Sequence, residues 1–203
     1  MFTKFIARWR TKISQGLGLL FLFVFLFSEK KFETISPLLT GVMFICGCFL
    51  VGLATVGRLW CAQYIAGYKT DVLITDGPYS ICRNPLYFFS LLGGIGAGLT
   101  TESITLAAVI VFVFCLIYPI TIRNEERVLL NHFKSGYEAY MRNVPRFIPD
   151  FSLFHEPGEY TVKPKVFRRE VFDALYFVWI VGLFEFIEIL IEIKLIPTLF
   201  SLY

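Results

Sequence analysis

The sequence predicts an all-α integral membrane protein with about five transmembrane helices. Hydrophobic residues make up 56% of its 203 residues, and the mean hydropathy is +0.66. Soluble domains are less apolar, at about 45–50%. Several uncharged apolar runs approach or exceed the length of about 20 residues that a helix needs to cross a bilayer. Sixteen of the 19 Lys and Arg residues fall on one side of the resulting topology, which is typical of membrane proteins.

The predicted spans follow from the apolar runs and their boundaries. They are Ile13–Phe27, Ile35–Gly57, Asn84–Thr101, Ser103–Ile122 and Val171–Ile196. The basic start before the first run resembles a signal peptide, but no A-x-A-like cleavage site follows it, so we expect a retained helix. Thr100-Thr101-Glu102 is expected to form a tight turn between the third and fourth spans.

The Lys and Arg bias predicts a cytoplasmic N-terminus and puts the polar stretches after the second and fourth spans on the cytoplasmic side, so a site there would face the cytoplasm. We expect a bacterial inner-membrane location. We divide the chain into N-terminal membrane helices (1–60), a core with a helical hairpin and a cytoplasmic helix (61–169), and a C-terminal membrane helix (170–203). Glu125–Met141 is predicted to be that cytoplasmic amphipathic helix after the fourth span, because its apolar residues share one face. Prolines should keep residues 144–166 largely non-helical.

The cysteines and histidines indicate no metal site and no disulfide framework. Cys46, Cys48 and Cys115 lie inside apolar runs, where a thiol behaves as a small hydrophobe. Only two histidines are present, and no Cys/His cluster has ligand spacing. We expect neither a bound metal nor a nucleic-acid partner.

The first polar motif precedes the third span and reads Leu73-Ile74-Thr75-Asp76-Gly77-Pro78-Tyr79, then Arg83-Asn84-Pro85-Leu86-Tyr87. Pro85 suits the first turn of a helix, and Asn84 sits where an N-cap is expected. Arg83 beside that helix start forms a possible anion site. The simpler interpretation is that the prolines and the glycine shape a loop while Arg83 anchors it at the interface.

The second polar motif, Arg123-Asn124-Glu125-Glu126, follows the fourth span. Adjacent carboxylates repel each other unless cations or hydrogen-bond donors separate them. The simpler interpretation is that two acids begin an amphipathic helix because they favour its dipole.

Together these motifs resemble the isoprenylcysteine carboxyl methyltransferase and phospholipid methyltransferase superfamily. The resemblance covers roughly residues 70–150 and extends through Phe133, Gly136-Tyr137 and Tyr140 to Val144-Pro145-Arg146-Phe147-Ile148-Pro149. Lys134-Ser135 departs from it, because many relatives have Gly directly after Phe133. The resemblance implies a membrane enzyme that transfers a methyl group from S-adenosylmethionine to a lipidic or amphipathic acceptor.

The resemblance also implies a set of site residues. Arg123 and Glu126 would be catalytic, with Arg123 near the substrate. The cofactor-binding residues would be Gly77, Pro78, Tyr79, Arg83, Asn84, Pro85, Tyr87, Gly94, Gly96, Glu125, Glu126 and Tyr137. For the two glycines, close helix packing is an equally open interpretation.

Two other functions stay open at this point. A membrane sterol or enone reductase using NADPH would need positive charge for its cofactor, which the Glu125-Glu126 pair opposes. A non-catalytic scaffold would not need the intact motifs. The sequence does not identify the acceptor, and the acidic stripe of Glu185, Glu188 and Glu192 either faces other helices or marks where the last span leaves the bilayer.

Overall fold

A computed structural model describes residues 23, 25–30, 36–68, 71–197 and 200–202. Most of the predicted first span, Ile13–Phe27, therefore lies outside the described residues. The helices are α1 (Pro37–Ile65), α2 (Pro78–Ile81), α3 (Pro85–Thr100), α4 (Ile104–Phe133), α5 (Ser135–Asn143), α6 (Pro164–Ala174) and α7 (Tyr176–Glu192), with a 3-10 turn at Phe151–Leu153.

Among the described residues, three segments are long and apolar enough to cross a membrane: α1, α4, and α6 with α7 (Pro164–Glu192). The shorter apolar helix α3 packs mainly against α1 and also against α4. The helical membrane fold is therefore confirmed, while the predicted number of five spans is not. Many large apolar side chains of the long helices face outward, as the lipid-facing surface of a membrane bundle would.

The fourth helix differs from its prediction. A span ending at Ile122 and a separate helix over Glu125–Met141 are not observed, because α4 continues without a break to Phe133. Charged residues do not end a helix unless the backbone turns. That turn comes at Lys134, where φ is +48°, and the short helix α5 follows.

One small departure from an all-helical fold joins the two ends of the described chain. Ser28–Lys30 (β1) and Phe200–Leu202 (β2) pair in parallel, with Ser28 opposite Phe200. Each strand has only 3 residues, so the ladder adds little to a fold determined by helices.

The hairpin between α3 and α4 forms where the sequence predicts it. Glu102 takes a positive φ of +56°, and the Ser103 hydroxyl accepts a hydrogen bond of 3.4 Å from the Leu106 N–H. Thr101 and Ser103 are buried on either side of the turn. This hairpin sets α4 beside α3 and brings the second motif back toward the first.

Candidate functional site

The first motif lies under a later segment of the chain that we call the strap, residues 144–163. Gly77 N–H donates to the His155 carbonyl at 2.9 Å, and Arg83 N–H donates to the Pro145 carbonyl at 2.9 Å. Asp150 N–H donates in return to the Ile81 carbonyl at 2.9 Å. The non-helical prediction for this proline-rich region is confirmed up to Lys163, since α6 begins at Pro164. Its free backbone groups make the strap able to pair with a loop.

Side chains add to this backbone pairing. The Tyr140 hydroxyl donates to the Tyr79 carbonyl at 2.6 Å, and the Cys82 thiol donates to the Phe147 carbonyl at 3.0 Å. Burial raises the pKa of Cys82 to about 11, so its thiol stays protonated at neutral pH. Hydrogen bonds to both the backbone and the side chains thus hold the loop from Gly77 to Asn84 in place.

Glu126 is the centre of the polar site. Its Oε1 lies 3.3 Å from Arg83 Nε and accepts a 3.4 Å hydrogen bond from Asn84 Nδ2. Its Oε2 accepts a 3.0 Å hydrogen bond from Arg146 Nε. The Glu126 side chain is only 7% exposed, and a buried carboxylate needs such partners to remain charged.

The two arginines on Glu126 differ in their surroundings. The Arg83 side chain is 7% exposed, and its Nη1 also donates to the Met141 carbonyl at 3.2 Å. Its Nε, although close to Glu126, is buried without an aligned hydrogen bond among the described residues. The Arg146 side chain is 51% exposed.

The predicted N-cap role of Asn84 takes a different form. Asn84 stands at the start of α3, but its side chain makes no capping hydrogen bond. Its amide instead donates to Glu126 and, at 2.9 Å, to the Arg146 carbonyl. Pro85 does begin the helix, as the sequence predicts.

The position of Glu125 and Glu126 inside α4 rules out the helix-dipole interpretation of the pair. Both lie far from the helix start at Ile104, whereas the dipole acts within the first turn. Glu125 is half-buried and makes a contact of its own. Tyr137 packs nearby and is 1% exposed; burial and the charge of Glu126 raise its pKa to about 12.

Some of the remaining predicted site residues lie close to Glu126, and others do not. Gly77, Pro78 and Tyr79 lie on the loop that carries Arg83, and Tyr137 lies near Glu126. Together with Arg83, Glu126 and Arg146 they form what we call the polar end of the molecule. The Tyr79 hydroxyl is buried without a hydrogen-bond partner among the described residues, and burial raises its pKa well above the ordinary value. Tyr87 packs edge-on against Tyr118, with ring centres 5.2 Å apart.

The structure does not bring the other predicted residues to Glu126. Arg123 is exposed on α4 and is not among the residues that contact this carboxylate. A side chain at Gly96 would lie 2.7 Å from the Gly47 carbonyl oxygen of α1, and one at Gly94 would lie 3.1 Å from Ile110 of α4. These glycines therefore have helix-packing partners, and their contact with a cofactor stays a prediction.

An open cleft of about 620 Å³ borders the site on the strap side. Its charged lining residues are Arg83, Arg142, Arg146 and Asp150, and its other lining residues lie between Met141 and Leu153. Arg146 is the residue to which sequence reasoning gave no role. Electrostatic reasoning could have identified it. A buried carboxylate beside one arginine favours a second cation nearby, and the Val-Pro-Arg motif contains one, Arg146.

The chain belongs to the isoprenylcysteine carboxyl methyltransferase and phospholipid methyltransferase superfamily. Residues 37–136 match the phospholipid methyltransferase family. The protein-S-isoprenylcysteine O-methyltransferase of Saccharomyces cerevisiae is 31% identical over 62% of this chain and 56% of its own.

Two bacterial relatives are more similar and carry a different kind of name. The cobalt-zinc-cadmium resistance protein of Cupriavidus metallidurans is 40% identical over 90% of this chain and 80% of its own. The nickel-cobalt-cadmium resistance protein of Alcaligenes xylosoxydans is 40% identical over 79% of this chain and 75% of its own. No solved structure matches the chain.

Proposed function

We propose that this protein is an integral membrane methyltransferase that uses S-adenosylmethionine to methylate a lipidic or amphipathic acceptor at the cytoplasmic face. The observation that carries the proposal is the buried Glu126, which ties Arg83 of the first motif to Arg146 of the strap. A scaffold would have no need to bury a carboxylate between two cations, since such a cluster is weak support for stability.

The residues around Glu126 fit the chemistry of the cofactor. S-adenosylmethionine supplies an electrophilic methyl group and carries a cationic sulfonium, an ammonium and a carboxylate. Glu125 and Glu126 provide negative charge, and Arg83 provides positive charge beside it. Tyr87 is half-buried and offers an aromatic face, which favours a cation, whereas Tyr79 and Tyr137 are buried. The adjacent cleft of about 620 Å³ is within the size range of small-molecule sites, about 300–1,000 Å³.

The protein's own contribution is orientation and exclusion of water. The strap fixes the Arg83 loop through backbone hydrogen bonds, and preorganised groups lower the entropy lost when reactants align. An acceptor dissolved in the bilayer would reach the site between the helices. A thiolate, a carboxylate or an accessible amine needs no general base, and no side chain is assigned that role. The excess of Lys and Arg supports a cytoplasmic position for the motifs.

Binding of labelled S-adenosylmethionine to the protein in nanodiscs tests this proposal, with NADPH as competitor. We expect saturable binding that Glu125→Gln weakens by about tenfold, because charge-assisted contacts are the stronger class of hydrogen bond. Glu138→Gln is the control, since Glu138 is exposed on α5 and away from the cluster. Labelled methyl transfer to lipid extracts then identifies the acceptor class.

The competing ligand separates the alternatives. Binding of NADPH in place of S-adenosylmethionine would move the protein to the reductases. Binding of neither would favour the scaffold. Normal cofactor binding by both Glu125→Gln and Glu126→Gln would show that the site lies elsewhere.

A role in metal-ion resistance is a second candidate, favoured by the 40% identity to two bacterial resistance proteins. We propose that methylation of a membrane component is the contribution to resistance. Growth of a deletion strain in cadmium, zinc, cobalt and nickel tests this. The wild-type gene should restore growth and the Glu125→Gln gene should not. Equal rescue by both genes would show that resistance does not depend on methyl transfer.

A further inference from the structure

Arg146 is half-exposed although one of its nitrogens is bound to a buried carboxylate. Its Nε donates to Glu126 Oε2 at 3.0 Å, while 51% of the side chain remains exposed. A guanidinium has five N–H donors in a rigid fork, so the Glu126 contact through Nε uses only a part of them. The residue lines the cleft of about 620 Å³. Glu126 therefore fixes one edge of this guanidinium while the rest of the side chain borders open space.

Arg83 differs from Arg146 in how much of it the protein uses. Arg83 is buried against both Glu126 and the Met141 carbonyl. The backbone of Arg146 is held separately, because Asn84 donates to its carbonyl at 2.9 Å. The Arg146 side chain is thus positioned by Glu126, while separate backbone hydrogen bonds also hold the strap against the first motif. The exposed part of the guanidinium is free of these structural contacts and can serve a binding role.

The charge of the cleft is suited to an anion. Arg83, Arg142 and Arg146 line it, and Asp150 is its one lining carboxylate. Asp150 Oδ1 already accepts hydrogen bonds from the Ser152 N–H at 3.0 Å and its hydroxyl at 2.6 Å. These bonds lower the pKa of Asp150, so its carboxylate stays charged at neutral pH and remains directed toward Ser152. Glu126 does not line the cleft but pairs with both Arg83 and Arg146. Three arginines therefore stand against two carboxylates, Glu126 and Asp150, and one positive charge remains in excess.

We propose that this cleft binds the carboxylate of the cofactor's amino-acid end, that Arg146 is its ligand, and that Glu126 is the positioning residue for Arg146. The inference rests on the proposed function and deepens it, since it moves the carboxylate partner from Arg83 to a residue outside the two motifs. A planar guanidinium held on one edge presents its other edge to a carboxylate in a fixed orientation. Fixing it in advance reduces the entropy lost on binding.

Two ligands that differ only in the carboxylate test this directly: S-adenosylmethionine and decarboxylated S-adenosylmethionine. Dissociation constants are measured for both in nanodiscs. Arg146→Gln should weaken S-adenosylmethionine by about tenfold and leave the decarboxylated ligand within about twofold, because only the former has the group that Arg146 contacts. Arg127→Gln is the matched control, since Arg127 is exposed on α4 and does not line the cleft. It should leave the ratio of the two constants unchanged.

The positioning role of Glu126 has its own readout. Glu126→Gln should reduce the preference for the carboxylate-bearing ligand, and adding Arg146→Gln should reduce it no further, since residues that act as one unit are not additive. Arg146→Lys keeps the charge without the fork and should retain a part of the preference. That variant keeps the test valid if Arg146→Gln does not fold.

The outcomes distinguish this inference from the proposed function. If the wild type binds neither ligand, the proposed function fails and the inference fails with it. If the wild type binds both ligands and Arg146→Gln weakens them equally, or neither, the inference alone is overturned. A loss of affinity for the decarboxylated ligand in Glu126→Gln would show that Glu126 contacts the cofactor's ammonium and does not act through Arg146.

Discussion

The polar end of the molecule and the interior of its helix bundle are held together by different means. At the polar end, hydrogen bonds link residues 77–84 to groups that lie 42 to 78 residues away in the chain. Between α1 and α3, the backbones approach closely at Gly47 and Gly96, where each would place a side chain 2.7 Å from the other's carbonyl oxygen. The polar end depends on hydrogen-bond donors and acceptors, and the helix bundle depends on glycines, whose lack of a side chain lets the helices pack closely.

The difference follows from the surroundings of each region. Lipid tails are as apolar as the side chains, so helices in a bilayer gain contact chiefly by packing closely. A loop outside the hydrocarbon can use directional hydrogen bonds, which fix orientation as well as distance. The site needs fixed orientation, and the bundle needs only to hold α3 and α4 at a constant spacing. Substitutions should therefore affect cofactor binding in the first region and stability alone in the second.

Gly77→Ala should have the largest effect on stability of the changes proposed here. Gly77 has φ +59° and ψ −127°, a conformation that a residue with Cβ avoids, and the ring of Tyr64 fills the space of a side chain there. Strain and overlap together should lower the free energy of unfolding by about 3 kcal/mol. Thermal unfolding in detergent measures the change.

A glycine of the strap provides the control for this substitution. Nothing lies within 4 Å of a side chain built at Gly158, so Gly158→Ala should be near neutral. Because the loop also carries Arg83, Gly77→Ala should weaken S-adenosylmethionine binding at a temperature where the protein is folded. Unchanged binding would mean that the strap alone fixes the site.

Gly96→Ala should have the next largest effect, on the bundle side of the comparison. The added methyl would meet backbone of α1, which cannot move aside as a side chain can. Overpacking of this kind costs about 2 kcal/mol. Gly52→Ala is the control, because a side chain at Gly52 meets nothing within 4 Å. Cofactor binding below the unfolding transition should be unaffected, and a specific loss of binding would instead favour cofactor contact at Gly96.

The helices were more predictable than the polar contacts. The hairpin at Thr100–Glu102 and the start of α3 at Pro85 follow from local signals, and both are confirmed. The predicted end of the fourth span at Ile122 is too early, because the helix continues past its charged residues to the backbone turn at Lys134. Local patterns report propensity, and a continuous helix can leave an apolar environment without changing its geometry.

The contacts of the site could be predicted only in part. Spacing and resemblance predict that Arg83, Asn84 and Glu126 belong to one site, and in the structure both Arg83 and Asn84 contact Glu126. It gave no role to Arg146, whose contact with Glu126 depends on the path of the strap. Proline predicts that such a segment is non-helical, but not which loop it crosses. A contact between residues that are far apart in the chain leaves no local pattern in the sequence.

Tyr137→Phe should have the smallest effect, and it should appear only at alkaline pH. Burial and the charge of Glu126 raise the pKa of Tyr137 to about 12 in the folded protein, above the value of about 10 in an unfolded chain. The folded state therefore holds this proton more tightly. The stability from this group is full below pH 10 and is lost as the pH rises from 10 to 12.

Unfolding midpoints at pH 8, 10 and 11, with tyrosinate absorbance, measure this dependence. Tyr137→Phe should make the midpoint fall less steeply above pH 10, with a difference of about 1.4 kcal/mol at pH 11, one unit above the unfolded pKa. Tyr176→Phe is the control, since Tyr176 is exposed. Equal slopes in the wild type and Tyr137→Phe would show that the phenol is not enclosed by the Glu126 cluster. Because that cluster belongs to the polar end, the same titration in Gly96→Ala should match the wild type, and a difference would mean that bundle packing and the site are coupled.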